Sequence, residues 1–371
     1  MKKIVIAPDS FKGSISAADA ANAIAMGIRD ALDDVLTVTL PIADGGEGTL
    51  DALVPAEARV YVSAFNTRGD PATAEFGRLC DTAVIESASA VGLGTVPEEE
   101  RSPALSTTKG VGALIRAALD RGFRRIMLTV GGTGCNDGGA GMLETLGAVF
   151  YGRSGRMNGI RACDLADIVR IDISGLDPRL SDTQLTIACD VNNPLVGENG
   201  ATYVYGPQKG ADGEMQRSLE AGMVNYAARL ADVAHDVSRV PGTGAGGGIP
   251  APLVAIYDAR ILSGIDAVLN AAGMDTALKG AALVITGEGR IDVQSACGKA
   301  ISGVAARAAA HGVPVIAIAG QLGSGADAMH GLGIRKMYAL TDVAPDADHA
   351  KKNAGVLLRA VAARAVTDFF N

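Results

Sequence analysis

Apolar, strand-like runs that end in glycine-rich loops recur along this 371-residue chain, and most of the loops carry carboxylates. The clearest are Asp44-Gly45-Gly46-Glu47-Gly48, Gly131-Gly132-Thr133-Gly134-Cys135-Asn136-Asp137-Gly138-Gly139 and Gly287-Glu288-Gly289-Arg290-Ile291-Asp292. Glycine at a strand end lets backbone N–H groups approach an anion closely. Carboxylates in the same loops repel an anion unless a cation stands between. Magnesium bound through oxygen ligands is the usual mediator, so the pattern predicts a magnesium-dependent phosphate site.

The rhythm around these loops is that of a parallel sheet. Ile4–Ala7 reads as a buried strand, followed by Asp9-Ser10-Phe11-Lys12-Gly13. Ser16 then reads as an N-cap with Asp19 three residues on, and Ala20, Ile24, Ile28 and Leu32 follow at helical spacing. A strand at Val35–Leu40 leads into the Asp44 loop, and Thr49–Val54 begins a helix. Residues 56–80 break the rhythm with two antiparallel strands around Thr67–Pro71. Strands at Thr82–Ile85, Arg125–Val130 and Leu185–Ala188 follow, with a helix capped by Thr107 or Thr108 between the first two. Residues 150–185 are polar and irregular, and residues 213–235 form a long amphipathic helix. Strict alternation returns over 282–341, with helices near 298–310 and 325–331, and a helix over about 349–369 closes the chain.

The two ends are alike and the middle differs. The fold class predicted is α/β in two domains. Residues 1–68 and 281–371 form a discontinuous Rossmann-like parallel-sheet domain, and 69–280 an inserted second α/β domain. Ligands of such sheets bind beyond the carboxyl ends of the strands.

A formal net charge of −8 and the absence of Trp argue against a nucleic-acid partner. Five scattered cysteines without a C-x-x-C pair read as a reducing, cytoplasmic setting. No apolar run is long enough to span a membrane without glycine or charge, and Met1-Lys2-Lys3 opens a strand rather than a signal peptide. The histidines at 235, 311, 330 and 349 lie outside the glycine loops, which argues against zinc or a His-based triad. Cys135, Cys189 and Cys297 read as small buried fillers.

Each loop offers specific chemistry. Asp9, Ser10 and Lys12 present a carboxylate, a hydroxyl and a cation before a helix, whose N-terminus favours anions. Asp44, Glu47, Glu288 and Asp292 are candidate magnesium ligands. Glu86 reads as solvent-facing, while Ser87 and Ser89 can hold ligand oxygens. Gly131, Gly132, Thr133 and Gly134 with Asn136 and Asp137 read as an anion cradle that lacks the Gly-Lys-Ser/Thr ending of a Walker A loop. Asp190 can accept a proton from an attacking hydroxyl, with Asn192 and Asn193 as amide donors. Lys209 sits on a tight turn. Gly242–Gly247 matches G-x-G-x-x-G by letter without a preceding strand, and reads as a flexible phosphate or lid loop around Gly244. Arg290 can fork onto two oxygens of a phosphate or carboxylate.

Together, Ala7–Ser14, Ala43–Thr49, Gly131–Gly139, Cys189–Pro194 and Thr286–Asp292 resemble the bacterial glycerate kinase family, type 1, over essentially the whole chain. The resemblance implies ATP-dependent phosphorylation of D-glycerate, commonly to 2-phosphoglycerate, by two α/β domains with the active-site cleft between them. The small-molecule partners are then ATP and glycerate, and the protein is a monomer or homodimer. In that chemistry some of Asp44, Glu47, Glu288 and Asp292 hold magnesium, and Gly131–Gly134 with Lys12 or Lys209 steady phosphate oxygens. Arg290 binds the glycerate carboxylate and Asp190 accepts the hydroxyl proton. Asp9, Ser10, Ser87 and Asn193 are substrate-side candidates, and Asn136, Asp137 and Gly244 nucleotide-side ones. A non-catalytic nucleotide or sugar-acid sensor, another phosphotransferase or a phosphatase, and a kinase releasing 3-phosphoglycerate are the alternatives.

Overall fold

A computed structural model describes residues 1–46, 48–292, 295 and 300–371. The chain runs through β1 (Lys2–Pro8), α1 (Ala17–Ala31), β2 (Val35–Thr39), α2 (Thr49–Leu53), β3 (Arg59–Phe65), β4 (Pro71–Leu79), β5 (Thr82–Glu86), α3 (Ala88–Val91), α4 (Lys109–Asp120) and β6 (Arg125–Thr129). It continues through α5 (Ala140–Thr145), β7 (Val149–Gly152), β8 (Gly155–Met157), β9 (Arg170–Asp172), β10 (Gln184–Ala188), α6 (Ala201–Tyr205), α7 (Gly213–Ala231), α8 (Pro250–Tyr257) and β11 (Arg260–Leu262). Last come α9 (Gly264–Ala271), α10 (Met274–Leu278), β12 (Leu283–Ile291), α11 (Ala300–Ala310), β13 (Val315–Leu322), β14 (Ile334–Ala339), α12 (Ala347–Lys352) and α13 (Ala354–Phe370). Among the described residues no helix is long and apolar enough to cross a membrane.

Two compact units form. The first comprises Met1–Gly45, Asp51–Leu53 and Ile265–Asn371, the second Gly46–Leu50 and Val54–Gly264. The first holds a five-stranded parallel sheet in the order β14-β13-β12-β1-β2. From β1 the chain steps outward to β2, and from β12 it steps the other way to β13 and β14. The border between β1 and β12 is therefore a topological switch point, where open α/β sheets leave room for ligands. Ile4, Ile6, Ile285, Ile316 and Ile318 pack against Ile24 and Ile28 of α1 and Leu358 and Val361 of α13 on one face. Ser16 caps α1 as its spacing predicts, its hydroxyl accepting from Asp19 N at 3.1 Å.

The second unit holds a six-stranded sheet, β11-β10-β6-β5-β4-β3, whose first four strands are parallel. β4 and β3 continue it antiparallel. β3, expected with the first domain, thus belongs to the second sheet, because its register with β4 ties it to β5. A second core joins Phe150, Leu165, Tyr226 and Leu230 beside the small sheet β8-β7-β9.

Other expectations shift locally. The segment near 325–331 is a 3₁₀ turn, Ala326–Leu332, because the glycines around it disfavour an α-helix. The C-terminal helix is broken at Asn353 into α12 and α13. Thr108 stands at the start of α4 but makes no side-chain cap; its hydroxyl serves Asp137 instead.

Candidate active site

The first unit gathers its predicted residues at the carboxyl edge of the sheet. Pro8 pairs with Gly287, and Asp9 N donates to Gly287 O at 2.8 Å. On the other side Ile42 N donates to Pro8 O at 3.0 Å. The loop after β1 therefore lies between Glu288 on β12 and the Asp44 segment after β2. Lys12, Asp44 and Arg290 are exposed, while Asp9, Ser10, Glu288 and Asp292 are half-buried. Glycine makes the close approach possible at Gly289, where a Cβ would stand 3.2 Å from Lys12 N. The carboxylates are held in place: Asp9 accepts from Ser10 N at 2.6 Å and Glu288 accepts from the Ser295 hydroxyl. Arg290 pairs with Asp292 at 3.4 Å. Glu47, Cys297 and Lys299 lie outside the described residues.

Hard oxygen donors of this kind suit magnesium. No group of three Asp, Glu, His or Cys placed to hold a metal occurs among the described residues. That still fits magnesium, which needs only one or two carboxylates beside phosphate oxygens and water.

In the second unit the loops after β5, β6, β10 and β11 follow one another along the sheet edge in the order β11-β10-β6-β5. Gly131 and Gly132 are exposed. Their loop is pinned to the end of α3 and the chain after it, with Gly134 N donating to Val91 O at 2.8 Å and Leu93 N to Gly132 O at 2.9 Å. Ser87, at the end of β5, is fully buried, and its Oγ has no hydrogen-bond partner among the described residues. Asp190 is exposed, and its Oδ1 accepts from Gly264 N at 2.8 Å.

Several candidates prove to be braces. Asp137 is fully buried, and its carboxylate accepts from Thr108 N, Thr108 Oγ1, Gly139 N and Gly141 N at 2.7–3.2 Å. Burial pushes its pKa up while these bonds pull it back. A carboxylate so occupied holds the loop together and has no capacity for a nucleotide. Asn136 is equally buried, donating to Thr202 Oγ1 at 3.1 Å. Asn193 spends both ends of its amide, accepting from Tyr205 Oη at 2.6 Å and donating to Asn199 O at 2.8 Å. Gly242–Gly248 is not an exposed lid. Gly244 N and Gly242 N both donate to Asn193 O, and a Cβ on Gly244 would stand 2.0 Å from Pro194 O. The glycines there allow backbone to pack on backbone. Burial pushes the Cys135 thiol up to about 12, which fits a filler.

Lys209 is 2% exposed, with Nζ donating to Cys135 O at 2.6 Å. Burial lowers its pKa, partly offset by Cys135 and Asp137.

Glu86 was expected to face solvent and instead is buried. Its two oxygens accept from Gly48 N at 2.9 Å and Leu50 N at 3.1 Å, holding the first turn of α2. The glycine loop thus spends part of its backbone donors on an internal carboxylate. Sequence reasoning missed this because only tertiary folding brings β5 beside α2.

The whole chain has counterparts among known proteins. A family model described as the glycerate kinase family matches residues 4–369. A glycerate kinase of Halalkalibacterium halodurans is 43% identical over 367 residues, covering 98% of this chain and 97% of that protein. A glycerate 2-kinase of Escherichia coli K12 is 43% identical over 357 residues, covering 95% and 94%. A crystal structure of a glycerate kinase 2 candidate from Salmonella typhimurium LT2 matches with a TM-score of 0.86 at 41% identity, covering 99% of this chain and 98% of that one.

Proposed function

The chain belongs to the glycerate kinase family, and from that premise we propose that it transfers the terminal phosphoryl group of ATP to the 2-hydroxyl of D-glycerate. The observation that carries this reading is identity over nearly the full length to named glycerate kinases, one of them a glycerate 2-kinase. The predicted loops at the carboxyl edges of both sheets support it.

Phosphoryl transfer depends mainly on positioning and charge neutralisation. Magnesium, bound with the nucleotide, supplies neutralisation of the phosphate oxygens. Asp44, Glu288 and Asp292 are the described carboxylates that would hold it, with Glu47 a further candidate. In the second unit the backbone N–H groups of the exposed Gly131 and Gly132 are offered to phosphate oxygens, and in the first Lys12 offers a cation. Arg290 takes the carboxylate of the acid. Asp190, with one oxygen fixed by Gly264 N, accepts the proton of the attacking hydroxyl at the other. The buried Ser87 hydroxyl contributes a contact to substrate. We assign the reaction to the cytoplasm on the cysteine pattern.

The test is ADP release with magnesium and ATP in the presence of D-glycerate, L-glycerate or no acceptor, followed by phosphorus NMR of the product. Release that depends on D-glycerate, with the 2-phospho ester as product, is expected. Acceptor-independent hydrolysis would favour a phosphatase, and the 3-phospho ester would reassign the hydroxyl.

A further inference from the structure

Behind the Gly131–Gly134 loop lies a small pocket lined by Thr67, Arg68, Leu93, Arg101, Gly134 and Lys209, among others. It belongs wholly to the second unit. Its charges are unevenly matched. Arg68 is neutralised by Glu100 and by Asp70 at 3.9 Å. Lys209, almost completely buried, has only the Cys135 carbonyl, and no carboxylate pairs with it among the described residues. Arg101 uses Nε on Leu93 O at 3.0 Å, and its two terminal nitrogens carry no hydrogen bond or ion pair among the described residues. No carboxylate lines the pocket.

A buried ammonium that forms no ion pair, and that the Asp137 carboxylate favours only from a distance, is costly unless something supplies further charge. A guanidinium with its fork free is the side chain best suited to a planar or tetrahedral oxyanion. We infer that Arg101 and Lys209 form an oxyanion subsite beside Gly134, filled by a carboxylate or phosphate oxygen of a reactant. Arg101 is not one of the glycine-loop residues, and its side chain is held here by the hydrogen bond to Leu93 O. The inference rests on the reading of this edge as a kinase site, because that reading supplies the two reactants that carry oxyanions.

The test compares wild type with Arg101→Gln, Arg101→Lys and Lys209→Met. Calorimetry measures D-glycerate and Mg-ATP separately, and melting in sulfate against chloride at equal ionic strength measures the pocket without either reactant. Arg101→Gln is expected to weaken one reactant at least tenfold, to leave the other within twofold, and to show a smaller sulfate stabilisation than wild type, keeping only the general salting-out effect. Arg101→Lys should recover part of the loss. Loss confined to D-glycerate assigns the pocket to the carboxylate, and loss confined to Mg-ATP assigns it to phosphate. Because Lys209→Met removes a buried group, its urea midpoint is measured beside its affinities; Arg101 is partly exposed and carries the inference if Lys209→Met does not fold. Wild-type affinities and sulfate response in Arg101→Gln overturn the subsite. A wild type without glycerate-dependent ADP release overturns the kinase reading instead, and the sulfate comparison then decides the pocket alone.

Discussion

Thr108 and Asp137 are joined twice: the Asp137 Oδ2 accepts from the Thr108 backbone N–H at 2.7 Å and from its hydroxyl at 2.8 Å. The same hydroxyl accepts from Met142 N at 2.9 Å. One buried side chain thereby fixes the glycine loop, the start of α4 and the start of α5.

Replacing Thr108 by Val strips a donor from a buried carboxylate and an acceptor from a buried N–H. The expected cost is about 2–3 kcal/mol of stability, against less than about 1 kcal/mol for Thr108→Ser, which keeps the hydroxyl. Urea unfolding of the two variants measures this, and equal midpoints would remove the bracing role.

Gly13 and Gly247 share a φ of +74°, yet their surroundings differ. A Cβ on Gly13 meets nothing within 4 Å, whereas one on Gly247 would stand 1.9 Å from Cys135 O. Gly13→Ala should cost about 1–2 kcal/mol for the left-handed backbone alone. Gly247→Ala should cost about 4 kcal/mol or more, since backbone must move. Similar shifts in unfolding midpoint would mean that the Gly242–Gly248 segment yields easily.

Asp190→Asn keeps an acceptor for Gly264 N while losing the base. Turnover with D-glycerate is expected to fall by about 10²–10⁴-fold with little change in KM. Near-wild-type turnover would show that another group, or water, takes the proton.

Arg179 hydrogen-bonds Asp177 and holds its carboxyl below the ordinary value of 3.8. The native pKa is lower than the unfolded one, so the stabilisation is complete well above pH 3.8 and is lost as pH falls through the native value. The difference in Tm between wild type and Asp177→Asn should stay level from about pH 7 to about pH 5 and shrink below about pH 4. A difference that is flat down to about pH 2.5 would contradict the ion pair's role.

Periodicity and glycine loops made most of both sheets legible. Ile4–Ala7, Val35–Leu40 and Leu185–Ala188 are local apolar runs, and each becomes a strand close to its expected bounds. The short strand Arg260–Leu262 was not legible, because three residues carry no period and it exists through pairing with β10. The site divided in the same way. Asp9, Lys12 and Glu288 are near one strand border because β1 ends beside Gly287, while β12, expected to end at Ile285, continues through Glu288 to Ile291. Asn136, Asp137 and Gly244 carry the same kinds of residue in similar loops, yet folding turns them inward.

The sequence by itself determined which apolar runs lead into glycine and which side chains those segments contain, since both follow from the order of residues along the chain. Only the tertiary structure decided which carboxylates remain available to a ligand and which are consumed internally. Asp190 keeps solvent access, while Asp137 is buried on backbone N–H groups of its own loop and Glu86 on those of Gly48 and Leu50 in a distant one. The physical reason is that a glycine loop exposes N–H donors to whatever anion arrives first, and a carboxylate supplied by the fold competes for them with any ligand.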